Sequence, residues 1–294
     1  MKTTIVIPAR YDSKRFPGKP LAVLNGKTIL ERVWEIASFV CQSIPDCSAI
    51  VATEEPSDET HENDIIPFCK KNSIPVVITS RKCRSGSDRV WSFVSNLENR
   101  PEVVVNLQGD VPTCPPHFVI QLIEALKTDP TAAVATICTR LNWDALDALR
   151  ESKKENPFSG TTVIASTQND AIWFSKSIVP AIRNEEELRK ESNLSPVLRH
   201  VGLYAYRFDA LQFFAASDVG KYERLEQLEQ LRFLENGKKI RLVYGQYPPG
   251  YEQTISGVDT PEDLESVSKI VNECGELLDF YANRDWRKVL SYDC

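Results

Sequence analysis

The sequence predicts an α/β protein built on a mainly parallel, mixed sheet. Three observations carry that prediction. Short β-rich runs alternate with helical periodicity through the first half of the chain, the pattern of βαβ units and a sheet covered on both faces. With 294 residues, 42% of them hydrophobic, the chain can bury a substantial core. No apolar stretch approaches the roughly 20 residues needed to cross a bilayer.

Taken in order, Thr3 to Ile7 reads as a strand. Thr28 to Val40 reads as a helix, because Thr28 and Glu31 have capping-box spacing and Ile29, Leu30, Val33, Trp34, Ala37 and Val40 follow helical periodicity. Ala49 to Thr53 is the next strand. Asp58 to Lys71 reads as a helix that Pro67 must kink or end. Strands at Pro75 to Thr79, Glu102 to Leu107 and Ala132 to Thr139 alternate with helices at Ser87 to Leu97 and Pro116 to Lys127. Ligands of parallel sheets bind beyond the carboxyl ends of the strands, so the loops after Ile7, Thr53, Thr79 and Leu107 should face one.

The second half is less regular. Thr161 to Ser166, Ala171 to Ser175, His200 to Arg207 and Lys239 to Tyr244 read as strands. Asn184 to Asn193 is a charged loop or short surface helix. Leu225 to Asn236 reads as a helix that Gly237 ends, and Thr260 caps a last helix with Pro261 at its first position. The tail after Leu277 reads as an appendage.

A net charge of −6 argues against a chain built to coat nucleic acid or an anionic membrane, so any basic cluster is informative. The eight cysteines form no CxxC pair, which gives no zinc or redox signature and fits a reducing cytoplasm.

The first such cluster is Ile7-Pro-Ala-Arg-Tyr-Asp-Ser-Lys-Arg-Phe-Pro-Gly-Lys-Pro-Leu21, directly after a strand. Arg10, Lys14, Arg15 and Lys19 in one loop offer the converging cations that a triphosphate needs, and Gly18 lets backbone approach closely. The alternative is a solvated basic loop. Asn106-Leu-Gln-Gly-Asp110 puts a carboxylate at a strand end, where it can hold Mg²⁺ against phosphate oxygens or simply serve a turn. Asp259, in Gly257-Val-Asp-Thr-Pro, is either a second metal carboxylate or part of a helix cap. Ser85-Gly-Ser-Asp-Arg89 opens a helix, either as a plain cap or with backbone donors for phosphate or a base edge.

Further on, Arg199-His-Val-Gly-Leu-Tyr204 precedes a segment in which Glu223, Glu226 and Glu229 share one face. That pattern alone favours a solvated acidic face, and His200 alone a structural role. His61 and His117 lack any motif and read as surface residues.

Together the segments IPARYDSKRFPGKPL, RSGSDRV, NLQGD, RHVGLYAY, LEQLEQLR and GVDTPEDL resemble the 3-deoxy-manno-octulosonate (Kdo) cytidylyltransferase family, over about residues 1 to 270. The resemblance implies a Rossmann-like nucleotide-diphospho-sugar transferase fold. It implies one domain over residues 1–277, a dimerisation lobe inserted at about 150–200, an extension over 278–294, and a homodimer. It also implies transfer of CMP from CTP to a sugar acid with release of pyrophosphate, in the cytoplasm, for lipopolysaccharide synthesis. On this likeness Ala9, Arg10, Arg15, Lys19, Ser85 and Gly86 would bind the nucleotide, with Lys19 also stabilising transition-state charge. Asp110 and Asp259 would hold Mg²⁺. Gln108, His200, Tyr204, Glu229 and Gln230 would line the sugar-acid pocket. Neither nucleic acid nor membrane is implied.

The chain departs from the family at Val111, where a polar residue is usual, at Thr162, where a lysine is usual, and at Lys176, where an arginine is usual. These lie on the sugar side or the lobe. They leave open a modified Kdo, a nonulosonic acid or a phosphonate as acceptor, and also a CTP-binding regulator without activity.

Overall fold

The computed structural model describes residues 1–12, 15–55, 65–252 and 257–282. Ser13, Lys14, His61, the start of the helix read from Asp58 and the tail from 283 lie outside them. In chain order the elements are β1 (Thr3–Pro8), β2 (Val23–Leu24), β3 (Lys27–Thr28), α1 (Ile29–Ser43), β4 (Cys47–Glu54), α2 (Ile65–Lys71), β5 (Val76–Thr79), α3 (Gly86–Val94), β6 (Val103–Asn106) and α4 (Pro116–Thr128). There follow β7 (Val134–Asn142), α5 (Trp143–Glu155), β8 (Thr162–Ala165), β9 (Ala171–Ser175), α6 (Glu185–Glu191), β10 (Leu194–Arg207), α7 (Phe208–Ala216), α8 (Lys221–Glu226), α9 (Leu231–Glu235), β11 (Ile240–Tyr244), α10 (Pro261–Cys274) and α11 (Leu277–Ala282). A short 3-10 turn at Lys19–Leu21 precedes β2.

Met1–Ile123, with the described residues from Gln246 onward, forms one compact unit, and Glu124–Gly245 another. In the first, the strand order is β6-β1-β4-β5, parallel throughout. Ile5 pairs with Ala49 on one side and Val105 on the other. Every residue of β1 and β6 is buried, as strands covered on both faces must be. Helix α1 packs on β4, buries Leu30, Val33, Ala37 and Val40, and is opened by the expected Thr28–Glu31 capping box. Helix α2 runs through Pro67 to Lys71, so the proline does not end it.

The second unit is mixed. Strand β11 lies parallel to β7, and β7, β10, β8 and β9 follow antiparallel. The α/β class with a mainly parallel, mixed sheet is therefore the observed one. Helices α5 and α7 lie in stretches where the sequence predicted nothing. The charged segment from 184 does hold a short exposed helix, α6.

Three expectations need correction. The helix read over Leu225 to Asn236 is instead two short helices, with Gln227 between them in the left-handed region at φ 55°. Its acidic face is not solvated: Glu223 is 6% exposed and pairs with buried Arg232 at 2.5 Å, nine residues on. Glu226 accepts from the Ser175 hydroxyl and the Lys176 amide at 2.9 and 2.7 Å. Closing these bonds requires the backbone to turn, and that outweighs the apolar periodicity of Leu225, which is 69% exposed. Finally, His117 is not at the surface but 1% exposed, with Nδ1 2.6 Å from the Tyr281 hydroxyl of α11.

The seven described cysteines are free thiols. Among the described residues no helix is long and apolar enough to cross a membrane.

Candidate active site

The chain leaves β1 at Pro8 and enters the basic loop. Gly18, at φ 70°, turns it back: its amide donates to the Tyr11 carbonyl at 3.0 Å. That turn delivers Lys19 inward, 8% exposed, although lysine is rarely buried without partners. The partners are two carboxylates. Lys19 Nζ donates to Asp110 Oδ2 at 2.7 Å and to Asp259 Oδ1 at 3.0 Å. Burial would lower the Lys19 pKa, but Asp110 and Asp259 outweigh it and hold the ammonium above its usual value. Burial pushes Asp110 up, against the pull of Lys19. Arg15, at the surface, takes the other Asp259 oxygen at 2.9 Å.

Asp110 follows β6 by way of Gly109, where a Cβ would stand 2.8 Å from the Pro8 carbonyl oxygen. Only glycine lets the two strand ends run this close. Asp259 precedes α10, whose Thr260–Asp263 capping box also binds the Asp259 amide: Asp263 Oδ2 accepts from Asp259 N and Thr260 N at 2.9 Å.

A cavity of about 410 Å³ opens over these strand ends, lined by Ala9, Arg10, Arg15, Lys19, Gly86, Gln108 and Asp110 among others. The loops after β1 and β6 and the start of α3 thus face it, as expected from the carboxyl-end rule. Arg10 lines it while its guanidinium donates to the Cys83 carbonyl. Ser85 serves as the N-cap of α3, accepting from Asp88 N at 3.2 Å.

Among the lining residues, Arg89 stands at the end of the Ser85–Arg89 segment without a role of its own in the sequence. Arg89, 0% exposed, donates to Thr79 Oγ1 at 2.6 Å and Glu54 Oε2 at 3.2 Å. Glu54 Oε1 in turn accepts from the Asp12 amide at 3.4 Å, so this buried pair anchors the basic loop. The available signal was an arginine on the apolar face of α3, one residue before buried Val90.

The remaining predicted residues lie in the second unit. The Thr136 hydroxyl donates to the Leu203 carbonyl at 2.8 Å, so its single proton is spent and His200 Nε2, 2.9 Å away, is the donor between them. Burial, aided by Lys176, pushes His200 down to about 3, so the ring is neutral. The His200 and Tyr204 rings stand 5.4 Å apart. Gln230 is 3% exposed and its Nε2 has no hydrogen-bond partner among the described residues. Glu229 is half-buried and raises the Tyr204 pKa together with burial and Tyr206, burial being the largest cause. Of the departures, Thr162 is bound locally: its hydroxyl donates to the Ser177 carbonyl and accepts from Val179 N. Burial lowers the Lys176 ammonium, against Glu226.

This arrangement can bind a polyphosphate, neutralise charge on it and orient a nucleophile. The model for the family described as cytidylyltransferase matches residues 4–240. A 3-deoxy-manno-octulosonate cytidylyltransferase of Maricaulis maris (strain MCS10) is 36% identical, over 95% of this chain and 100% of that one. One from Parabacteroides distasonis is 38% identical, over 90% and 96%. A solved CMP:2-keto-3-deoxy-manno-octonic acid synthetase complexed with CTP superposes with a TM-score of 0.75 at 33% identity, covering 93% of this chain and 99% of that one.

Proposed function

The chain belongs to the 3-deoxy-manno-octulosonate cytidylyltransferase family, and from that premise we propose that it transfers CMP from CTP to a Kdo-type sugar acid and releases pyrophosphate. The observation that carries this reading is the convergence of Arg15, Lys19, Asp110 and Asp259 beside the cavity that Arg10 also lines.

In this reading Arg10, Arg15 and Lys19 neutralise the phosphates, and Gly86 and the α3 start hold the nucleotide near Ala9 and Ser85. Lys19 gains most where charge grows on the α-phosphate, because it is shielded from water. The anomeric hydroxyl attacks the α-phosphorus in line as pyrophosphate departs, a reaction governed by positioning and charge neutralisation. Asp110 and Asp259 suit a divalent ion by their chemistry: one oxygen of each already converges on a single cation, the Lys19 ammonium. Mg²⁺ held there would polarise phosphate oxygens. Gln108, His200, Tyr204, Glu229 and Gln230 keep their proposed roles toward the acceptor. A homodimer through the lobe at about 150–200, a catalytic domain over 1–277 with the extension beyond it, a cytoplasmic location and a place in lipopolysaccharide synthesis belong to the same proposal.

An acceptor other than Kdo remains a second reading. Lys176 carries a point charge where the family resemblance gives a forked guanidinium, and Thr162 spends its hydroxyl on the chain itself.

The test is pyrophosphate release from CTP with Mg²⁺ and Kdo, beside Asp110→Ala. Kdo-dependent release that the variant lacks supports the proposal. Release only with another acid moves the acceptor. CTP binding without release for any acid sinks the enzyme reading and favours the regulator.

A further inference from the structure

The Asp110–Asp259 pair has two cations from its own chain. The Lys19 ammonium touches one oxygen of each, and Arg15 takes another oxygen of Asp259. The Lys19 side chain is 11% exposed, so these carboxylates rather than water balance its charge. Two acidic side chains face two basic ones, and the cluster is neutral.

A divalent ion meets two obstacles here. It needs the same oxygens at about 2.0–2.1 Å, where an ammonium a few ångströms away repels it strongly in a half-buried place. Nor can the protein complete its shell: among the described residues no group of three or more His, Cys, Asp or Glu side chains is placed to hold a metal. Adding the ion alone leaves two uncompensated positive charges. Adding it with a triphosphate supplies both the missing oxygens and the anion that Lys19 can move to.

We propose that Lys19 is a built-in counter-ion that closes the carboxylate pair to free divalent cations, so that metal enters only together with the nucleotide whose phosphates draw Lys19 away. The proposal rests on Asp110 and Asp259 being the metal carboxylates. It gives Lys19 two successive partners, the carboxylates before binding and the phosphates after it. It also makes metal and nucleotide binding mutually dependent, each strengthening the other by the same factor.

The experiment is Mn²⁺ binding followed by the free-ion EPR signal, on wild type, Lys19→Gln and Lys19→Gln/Asp259→Asn, without nucleotide. Wild type is also titrated with a non-hydrolysable CTP analogue, which needs no variant. Lys19→Gln is expected to bind Mn²⁺ at least about tenfold more tightly than wild type, and the added Asp259→Asn to remove that gain. Wild type is expected to take up Mn²⁺ only with the analogue, beyond what the analogue binds in solution. Equal binding by wild type and Lys19→Gln overturns the counter-ion role and leaves the metal carboxylates. No binding by any protein, with or without the analogue, overturns the metal reading beneath it.

Discussion

The Val258 amide donates to the Asp110 carbonyl oxygen at 2.8 Å. That bond joins the loop after β6 to the segment before α10, and the next residue, Asp259, then reaches the ammonium that Asp110 holds. The acidic pair is thus set by backbone, with Lys19 as its bridge.

Gly109 governs the same junction. A methyl group there meets the Pro8 carbonyl at 2.8 Å and Ala9 Cβ at 3.2 Å, and backbone cannot step aside cheaply. Gly109→Ala is expected to lower stability by about 1–3 kcal/mol and to weaken CTP binding, because Asp110 moves with it. Urea denaturation and CTP titration calorimetry measure the two effects; wild-type values in both would remove the close-approach argument.

Asp263 does two jobs, capping α10 and holding the Asp259 amide. Asp263→Ala and Thr260→Ala should each cost about 1 kcal/mol of stability, as lost caps do. Only Asp263→Ala also releases Asp259, so only it should weaken Mn²⁺ binding measured with a CTP analogue. An equal effect of both on the metal would show that the cap as a whole, not the Asp259 bond, matters.

The Glu223–Arg232 pair is buried on both sides, and Arg232 also donates to the Phe214 carbonyl at 2.7 Å. Removing one partner strands the other charge. Glu223→Ala is expected to cost about 3–5 kcal/mol, while Glu223→Met/Arg232→Met recovers much of it. Chemical denaturation of both variants checks this; a double variant no better than the single would contradict it.

Two buried histidines are expected to make the protein acid-sensitive. Burial, against a Gln246 contact, pushes His117 down to about 4; burial and Lys176 push His200 to about 3, both from 6.5. Between pH 6.5 and about 4 the unfolded chain takes up protons at these positions that the folded chain refuses. Stability therefore falls as pH falls through that window, by about 2 kcal/mol per histidine at pH 5. Urea midpoints from pH 7.5 to 5 should show the slope, and His117→Gln should remove about half of this contribution. An unchanged slope in that variant would place the acid sensitivity elsewhere.

By itself the sequence determined the elements whose causes are local. Thr28 with Glu31 and Thr260 with Pro261 start helices from a few neighbouring residues, and both starts are found where those residues stand. Alternating strands and helices determined the parallel sheet of the first unit, and the basic loop and the two aspartates were legible as motifs. Only the tertiary structure decided what each aspartate faces. Asp110 and Asp259 share one ammonium because sheet register and the Val258 bond bring distant segments together, and no local propensity encodes such a pairing. The same holds for His117, buried and bonded to a tyrosine distant in the chain, and for Gln227, turned left-handed so that Glu223 meets Arg232. Local preferences amount to tenths of a kcal/mol per residue, whereas leaving a buried charge unpaired costs several. Where the two conflicted, the buried pair prevailed.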